Sequence, residues 1–343
     1  MSQPADLAEA VQHALRAPSV HNTQPWLWRI GPGVVELHAD WTRHLAATDP
    51  DRRDLLLSCG AALHHLRVCL AARDMAAHVV RLPDPENLGH LATVTVQPGT
   101  GDADDAALAP IIDRRRTDRR QMSHRAVPSH HIRSIAEQAS RAGAILLPLT
   151  GAALRQRLTT ALAHAAQTQA QTPGYLTELQ VWTHRHAGAR DGIPIANLPP
   201  HPVGLIEPSA LRNFPTGRLS QPSQLPGHGP ADDAAEFLVL ATHGDELLDR
   251  LWAGEAMSAA LLAATQLGLA TTPLSQALEV DVTRQELQHH VLHIPEHPQL
   301  MIRVGWPATE ADELPPTPRR DLRSVLLPPR EPSTAGDGQL DAV

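Results

Sequence analysis

Residues 5–17 set Leu7, Val11, Ala14 and Leu15 on one face at helical spacing, so the chain opens with an amphipathic helix that Pro18 ends. WLWRI at 26–30 and VVELHAD at 34–40 alternate like two strands, with Gly31-Pro32-Gly33 as the hairpin turn. From 51 to 73 the apolar positions Leu56, Cys59, Leu63, Leu66 and Leu70 return to a helical stripe. HVVRL and LATVTV predict two more strands, and GTGDADD a loop. A second unit starts near Pro110, with a helix over PSHHIRSIAEQASRAG opened by Ser129 as N-cap. AILLPL is a predicted strand and 152–171 a long alanine-rich helix. EFLVLAT and LMIRVGW read as buried strands flanking a helix over 247–267.

The pattern repeats internally. SCGAALHHLRVCLAARDMAAHV at 58–79 aligns with WAGEAMSAALLAATQLGLATTP at 252–273, an offset of 194 that sets Gly60 on Gly254 and Ala62 on Ala256. Small residues at matched positions suit two helices whose backbones approach closely at a dimer-like centre. A chance match between two alanine-rich helices is the other reading. Between 187 and 230 the periodicity disappears and nine prolines fall, as in a long functional or disordered segment. Residues 329–343 read as a disordered tail.

Composition narrows the function. Of 343 residues, 42% are apolar and 19% charged, and the formal net charge of −8 leaves no dominant basic face, against a nucleic-acid partner. No apolar run reaches the roughly 18 residues of a membrane span, and Asp6 and Glu9 lie where a signal peptide would be apolar. Cys59 and Cys69 would lie about 15 Å apart along one helix, beyond the ~7 Å Cα separation of a disulfide. A reduced, cytoplasmic protein is the expectation. The sequence contains no lysine, so arginine supplies all 29 Lys+Arg cations. Any phosphate must therefore be held by guanidinium, hydroxyl or backbone N–H groups.

Two stretches carry chemistry. RRRTDRR at 114–120 gathers five arginines around a hydroxyl. Arg115, Arg116 and Arg119 could converge on a dianionic phosphate with Thr117 donating; alternatively they form a solvated turn paired with Asp113 and Asp118. APSVHNTQPW at 17–26 is stiffened by Pro18 and Pro25 and offers Ser19, His21, Asn22 and Gln24 within six residues. Such a row of donors suits the pyrimidine edge of a ring like isoalloxazine; alternatively it caps its own backbone. His289, His293 and His297 have a spacing of four, but Pro295 interrupts that helix, and no HExxH or CxxC occurs, so no metal site is expected. Neither GxSxG, a Walker A loop nor GxGxxG is present.

PSVHNTQPW near the start, RRTDR in the middle and Thr317-Pro318-Arg319-Arg320 near the end together resemble the nitroreductase superfamily, specifically its Acg-like NAD(P)H nitroreductases. The resemblance runs from about residue 5 to about 327. In ordinary nitroreductases the arginine stretch precedes the PSxxNxQPW stretch; here the order is reversed. It thus implies an α+β fold of two degenerate half-folds, residues 1–105 and 106–328, fused as a pseudo-dimer. Mixed, mainly antiparallel sheets would surround central helices, and 187–230 would form a lid-like insertion.

It further implies one FMN per chain, with NAD(P)H as electron donor and nitroaromatic or quinone-type acceptors, in a monomer sufficient for the site. Arg115, Arg116, Thr117 and Arg119 would bind the phosphate and ribityl chain, completed by Arg319 or Arg320. Pro18, Ser19, His21, Asn22 and Gln24 would reach the ring from the other half. Leu274, Ser275 and Gln276 would pass flavin N5, where the family usually has an acidic residue or glycine. The cofactor would carry the chemistry, leaving no side chain as nucleophile. FMN storage behind a closed lid is the alternative.

Overall fold

The computed structural model describes residues 4–186, 188–199, 212, 214, 217–219, 233–308 and 313–329. Helix α1 (Pro4–Ala14) leads into the hairpin of β1 (Trp26–Gly31) and β2 (Val34–Ala39), then α2 (Arg53–Ala71), β3 (Met75–Arg81) and β4 (His90–Pro98). Helices α3 (Ala103–Ile112) and α4 (Ser129–Arg141) follow, then β5 (Ile145–Pro148), α5 (Ala152–Gln171) and α6 (Tyr175–Thr183). The remainder comprises β6 (Glu236–Thr242), α7 (Leu247–Gln266), β7 (Ala270–Leu274), α8 (Asp281–Gln285) and β8 (His297–Gly305). The α+β expectation holds.

Two four-stranded sheets have matching orders, β1-β2-β4-β3 and β5-β6-β8-β7. Every ladder is antiparallel. Parallel pairing, expected as part of a mixed sheet, is confined among the described residues to the isolated bridges Trp28–Leu326 and Thr117–Thr271. The sheets also share an irregularity: the register slips between Leu37 and His38 in one and between Leu240 and Ala241 in the other.

Between the sheets, α2 and α7 cross with their backbones in contact. A Cβ on Gly60 would lie 2.2 Å from the Leu251 carbonyl oxygen, and one on Gly254 2.2 Å from that of Leu57. Glycine costs about 1 kcal/mol in a helix interior relative to alanine. That cost is offset because the close approach buries Leu56, Leu63, Leu261 and Leu262 completely, each side chain contributing about 1.5–3 kcal/mol. One turn further on, His64 Nδ1 meets Ser258 Oγ at 2.9 Å. Helix α2 is long and apolar enough to cross a membrane, but nearly all of it is packed into this core. Both cysteines lie in α2, buried and unbridged; burial lifts the Cys69 thiol to about 12 and Cys59 higher still.

Several local expectations change. The GTGDADD loop runs into α3, because the Asp102 side chain caps it by accepting the amides of Asp104 and Asp105 at 2.9 and 3.0 Å. Pro128, not Ser129, is the N-cap of α4, and Ser129 is its first helical residue. His289 lies in a π-helical turn, His293 has φ +53° and His297 begins β8, so the three do not share a helix face. Of 187–230, the described Ile193, Leu198 and Phe214 form a small core with Tyr175 and Leu179. The tail from 330 lies outside the described residues. Before it, the chain returns to β1, where Trp28 N donates to Val325 O and Leu327 N to Trp28 O, both at 2.7 Å.

Candidate active site

The loop between α1 and β1 is built from unfavourable backbone. His21, Asn22 and Gln24 have φ of +44°, +55° and +52°, a region that non-glycine residues occupy only when surroundings enforce it. Ser58 Oγ on α2 accepts Val20 N at 3.1 Å, and Ser19 Oγ accepts Gln24 N at 2.9 Å. Asn22 Nδ2 donates to the carbonyls of Gly192 and Pro318 at 2.8 and 3.0 Å. Gln24 Nε2 donates to Arg190 O at 2.9 Å, while its Oε1 accepts Arg320 N at 2.8 Å. These amides hold the loop against the insertion and the C-terminal segment.

The arginine stretch follows α3 and is pinned to β7 at the Thr117–Thr271 bridge, where Asp118 N donates to Thr271 O at 2.9 Å. Two adjoining cavities form where it meets the α1–β1 loop, sharing Pro18, Ser19, His21, Thr117 and Arg119 as common wall. Arg16, Arg115, Arg116 and Arg319 line the first, with Asn22. Leu57, Met257, Phe214 and Leu300 give the second its apolar wall, and Leu274, Ser275 and Gln276 form one side. Gln24 and Arg320 line neither: Arg320 Nη1 binds Asp40 at 3.2 Å and Gln24 O at 3.1 Å.

The arginine cavity is strongly cationic. Arg115 is 5% exposed, and among the described residues its Nε and Nη1, like Arg319 Nε, have no hydrogen-bond partner. Burial, then the neighbouring Arg116 and Arg16, pushes Arg115 down to about 10. Burial with Arg115, Arg16 and Arg116 pushes Arg319 down to about 9. Both remain charged at neutral pH, so the shift measures crowding of like charges, with guanidinium protons left over. Arg119 is pushed to about 10 by burial and Arg212, and its guanidinium lies over the Phe214 ring at 5.9 Å.

The apolar cavity has two polar anchors that sequence reasoning missed. Arg212, from the proline-rich insertion, bonds both oxygens of buried Glu279 and also His21 Nε2. Burial, then Arg212 and Arg119, holds the His21 imidazolium well below the usual range, so the ring is neutral. Guanidinium can only donate, so Nε2 accepts and Nδ1 bears the hydrogen. No described group pairs with that Nδ1. The second anchor is Asp54, 3% exposed on the cavity wall. Burial, then the charges of Asp49 and Glu279, pushes its carboxyl well above the usual range. Arg16 had a signal, as a cation directly before the proline loop. Asp54 reads as an ordinary first-turn acid, and Arg212 sits in a stretch without pattern.

No family model matches the chain. Among solved structures, an FMN-dependent nitroreductase, NfnB from Mycobacterium smegmatis in complex with NADPH, aligns with 66% of this chain and 99% of its own at TM-score 0.40 and 19% identity. A nitroreductase with bound FMN from Bacteroides fragilis aligns with 69% and 98% at TM-score 0.37 and 13% identity. Curated relatives are much nearer. "Putative NAD(P)H nitroreductase acg" of Mycobacterium tuberculosis is 34% identical over 326 residues, covering 93% of this chain and 95% of the relative. "Putative NAD(P)H nitroreductase Rv3131" of the same organism is 44% identical over 318 residues, covering 93% of this chain and 90% of the relative. With identity of that extent over nearly its whole length, the chain belongs to the family of these mycobacterial NAD(P)H nitroreductases.

Proposed function

We propose that the chain binds one FMN across its two adjoining cavities and uses it to pass hydride from NAD(P)H to a nitroaromatic or quinone-type acceptor. The observation that carries this reading is a buried guanidinium cluster with unused donors, opening beside an apolar chamber. A phosphate dianion would satisfy those donors and neutralise the crowding. Arg115, Arg116 and Arg319 would hold it, with Thr117 and Arg119 at the junction of the cavities. The wall of Leu57, Met257 and Phe214 suits a flat apolar ring, and the His21 Nδ1 hydrogen offers a fixed donor to its polar edge.

Bound FMN supplies the hydride chemistry, which needs no side-chain nucleophile. The chain's own residues bind, orient and exclude water. His21 and Arg212 set donors at one end of the chamber, and the α1–β1 loop is held by hydrogen bonds to Ser58, Gly192 and Arg190. The two contributing stretches lie far apart in sequence, and the matched strand orders and the Gly60–Gly254 crossing support a duplicated fold that builds the site within one chain. A single FMN per polypeptide follows, and two per polypeptide would refute it.

FMN storage is the second reading, favoured by the insertion: Pro199, Arg212 and Phe214 line the chamber, and Arg212 is anchored to Glu279. Anaerobic mixing of FMN-loaded protein with NADPH or NADH separates the two. Bleaching of the flavin absorbance supports the enzyme; a persistent oxidised spectrum supports storage.

A further inference from the structure

We propose that Asp54 is the proton donor of this site, delivering to the bound acceptor the proton that accompanies hydride transfer. The inference rests on the flavin oxidoreductase reading and deepens it. Asp54 stands in the first turn of α2, where a carboxylate usually sits in water near the helix N-terminus. Here it is buried in the wall of the apolar chamber, and its Oδ2 has no hydrogen-bond partner among the described residues. An ionised oxygen left unpaired in that setting is costly, and a protonated one costs far less.

The surroundings favour the protonated form of the carboxyl. Asp49, just before α2, is already committed, accepting the amides of Asp54 and Leu55 at 3.0 and 2.9 Å. Glu279, in the turn after β7, is engaged by Arg212. Ser275 donates its hydroxyl to Glu279 Oε1 at 2.6 Å and lies within hydrogen-bond reach of Asp54. The Ser275 contact and the Arg212 charge favour ionisation of Asp54, but burial, Asp49 and Glu279 outweigh them. His21, Arg119 and Arg303 are the other titratable or charged groups around the same chamber. Glu279 has bound Arg212, and Asp49, though also pushed up, is not among the residues lining the chamber, so Asp54 is the carboxyl that brings a proton to its wall. The arrangement matches a known use of apolar sites, which keep a carboxylic acid protonated at neutral pH so that it can donate.

The step balances for a quinone. Hydride, carrying two electrons supplied by NAD(P)H through FMN, forms an O–H bond at one quinone oxygen. The ring aromatises and pushes an electron pair onto the second oxygen, which takes the Asp54 proton. The acid O–H bond breaks, leaving a carboxylate that water reprotonates when hydroquinone departs.

The test uses the FMN-loaded full chain with D54N, D54E and a water-soluble benzoquinone as acceptor. In D54N, quinone reduction by the pre-reduced, FMN-loaded protein should slow by about 10²–10⁴-fold, the usual weight of a general acid, and by far more than any change in the rate at which NAD(P)H bleaches the flavin. Wild-type turnover should fall as pH rises through the Asp54 ionisation. D54N should be flat with pH, and D54E should restore part of the rate. At neutral pH the infrared spectrum of wild type should contain a protonated-carboxyl band that D54N lacks, distinct from the band of Asp49 that both retain. Unchanged quinone kinetics in D54N, or a wild-type band showing an ionised Asp54, overturns the proposal. Should D54N fail to fold, the wild-type band and the D54E pH profile decide it. A wild-type chain that takes up no FMN instead fails the flavin reading itself, and the proton transfer falls with it.

Discussion

Gly60 and Gly254 stand as each other's counterpart at the α2–α7 crossing, each facing the carbonyl three residues before the other. Both obstacles to a side chain are backbone, so neither can swing aside. Gly254→Ala should cost about 3 kcal/mol, the upper end of ordinary overpacking, despite alanine's better helix propensity. Gly60→Ala should match it. Denaturant unfolding checks this, and a loss below about 1 kcal/mol would mean that the helices part freely.

Arg115 should behave oppositely with and without ligand. Arg115→Met removes a crowded charge, so the ligand-free protein should be as stable as wild type or more so. FMN affinity should fall about 10- to 150-fold, the equivalent of a lost charged hydrogen bond worth about 1.5–3 kcal/mol. Fluorescence titration with thermal unfolding of the ligand-free form reads both. A variant equally destabilised in both forms would show that Arg115 serves packing instead.

Arg212→Ala would leave Glu279 as an uncompensated buried charge, a loss of about 3–5 kcal/mol. Adding Glu279→Gln removes that charge and should recover much of the loss. A double-mutant cycle measures the coupling. Additive effects would show that the pair contributes nothing beyond its two members.

Acid sensitivity should trace partly to His65, buried with neither ring nitrogen partnered among the described residues. Burial, then His64 and Arg115, holds its imidazolium well below the usual 6.5. The unfolded chain binds this proton near 6.5 and the folded chain does not, so stability falls as pH drops below that value. His65→Leu should lose that component, narrowing the gap between midpoints at about pH 5 and pH 8 relative to wild type. Asp49 acts in the other direction: pushed up to about 8, mainly by burial, it withdraws stability as pH rises from 3.8 toward 8.

The helical stripes of α2 and α7 and the matched glycines were legible because their burial is periodic and their spacing repeats. Strand β7 was missed because Pro273 interrupts ATTPL, yet β7 lies at a sheet edge, where a missing N–H is tolerated. Helix α3 hid behind an aspartate-rich stretch whose Asp102 turned out to be its cap. At the site, both motif stretches announced themselves as unusual chemistry. Their division of labour did not: Asn22 and Gln24 look like ligand donors, but their amides bind backbone carbonyls. Asp54 acquires its character only from tertiary neighbours, which local pattern does not encode.

Arg319 donates to the Arg16 carbonyl 303 positions earlier and to Asn22 Oδ1 297 positions earlier. The wall of the arginine cavity is thereby stitched together from distant stretches of sequence, so a proteolytic nick that frees the later one should open that wall while both sheets stay paired.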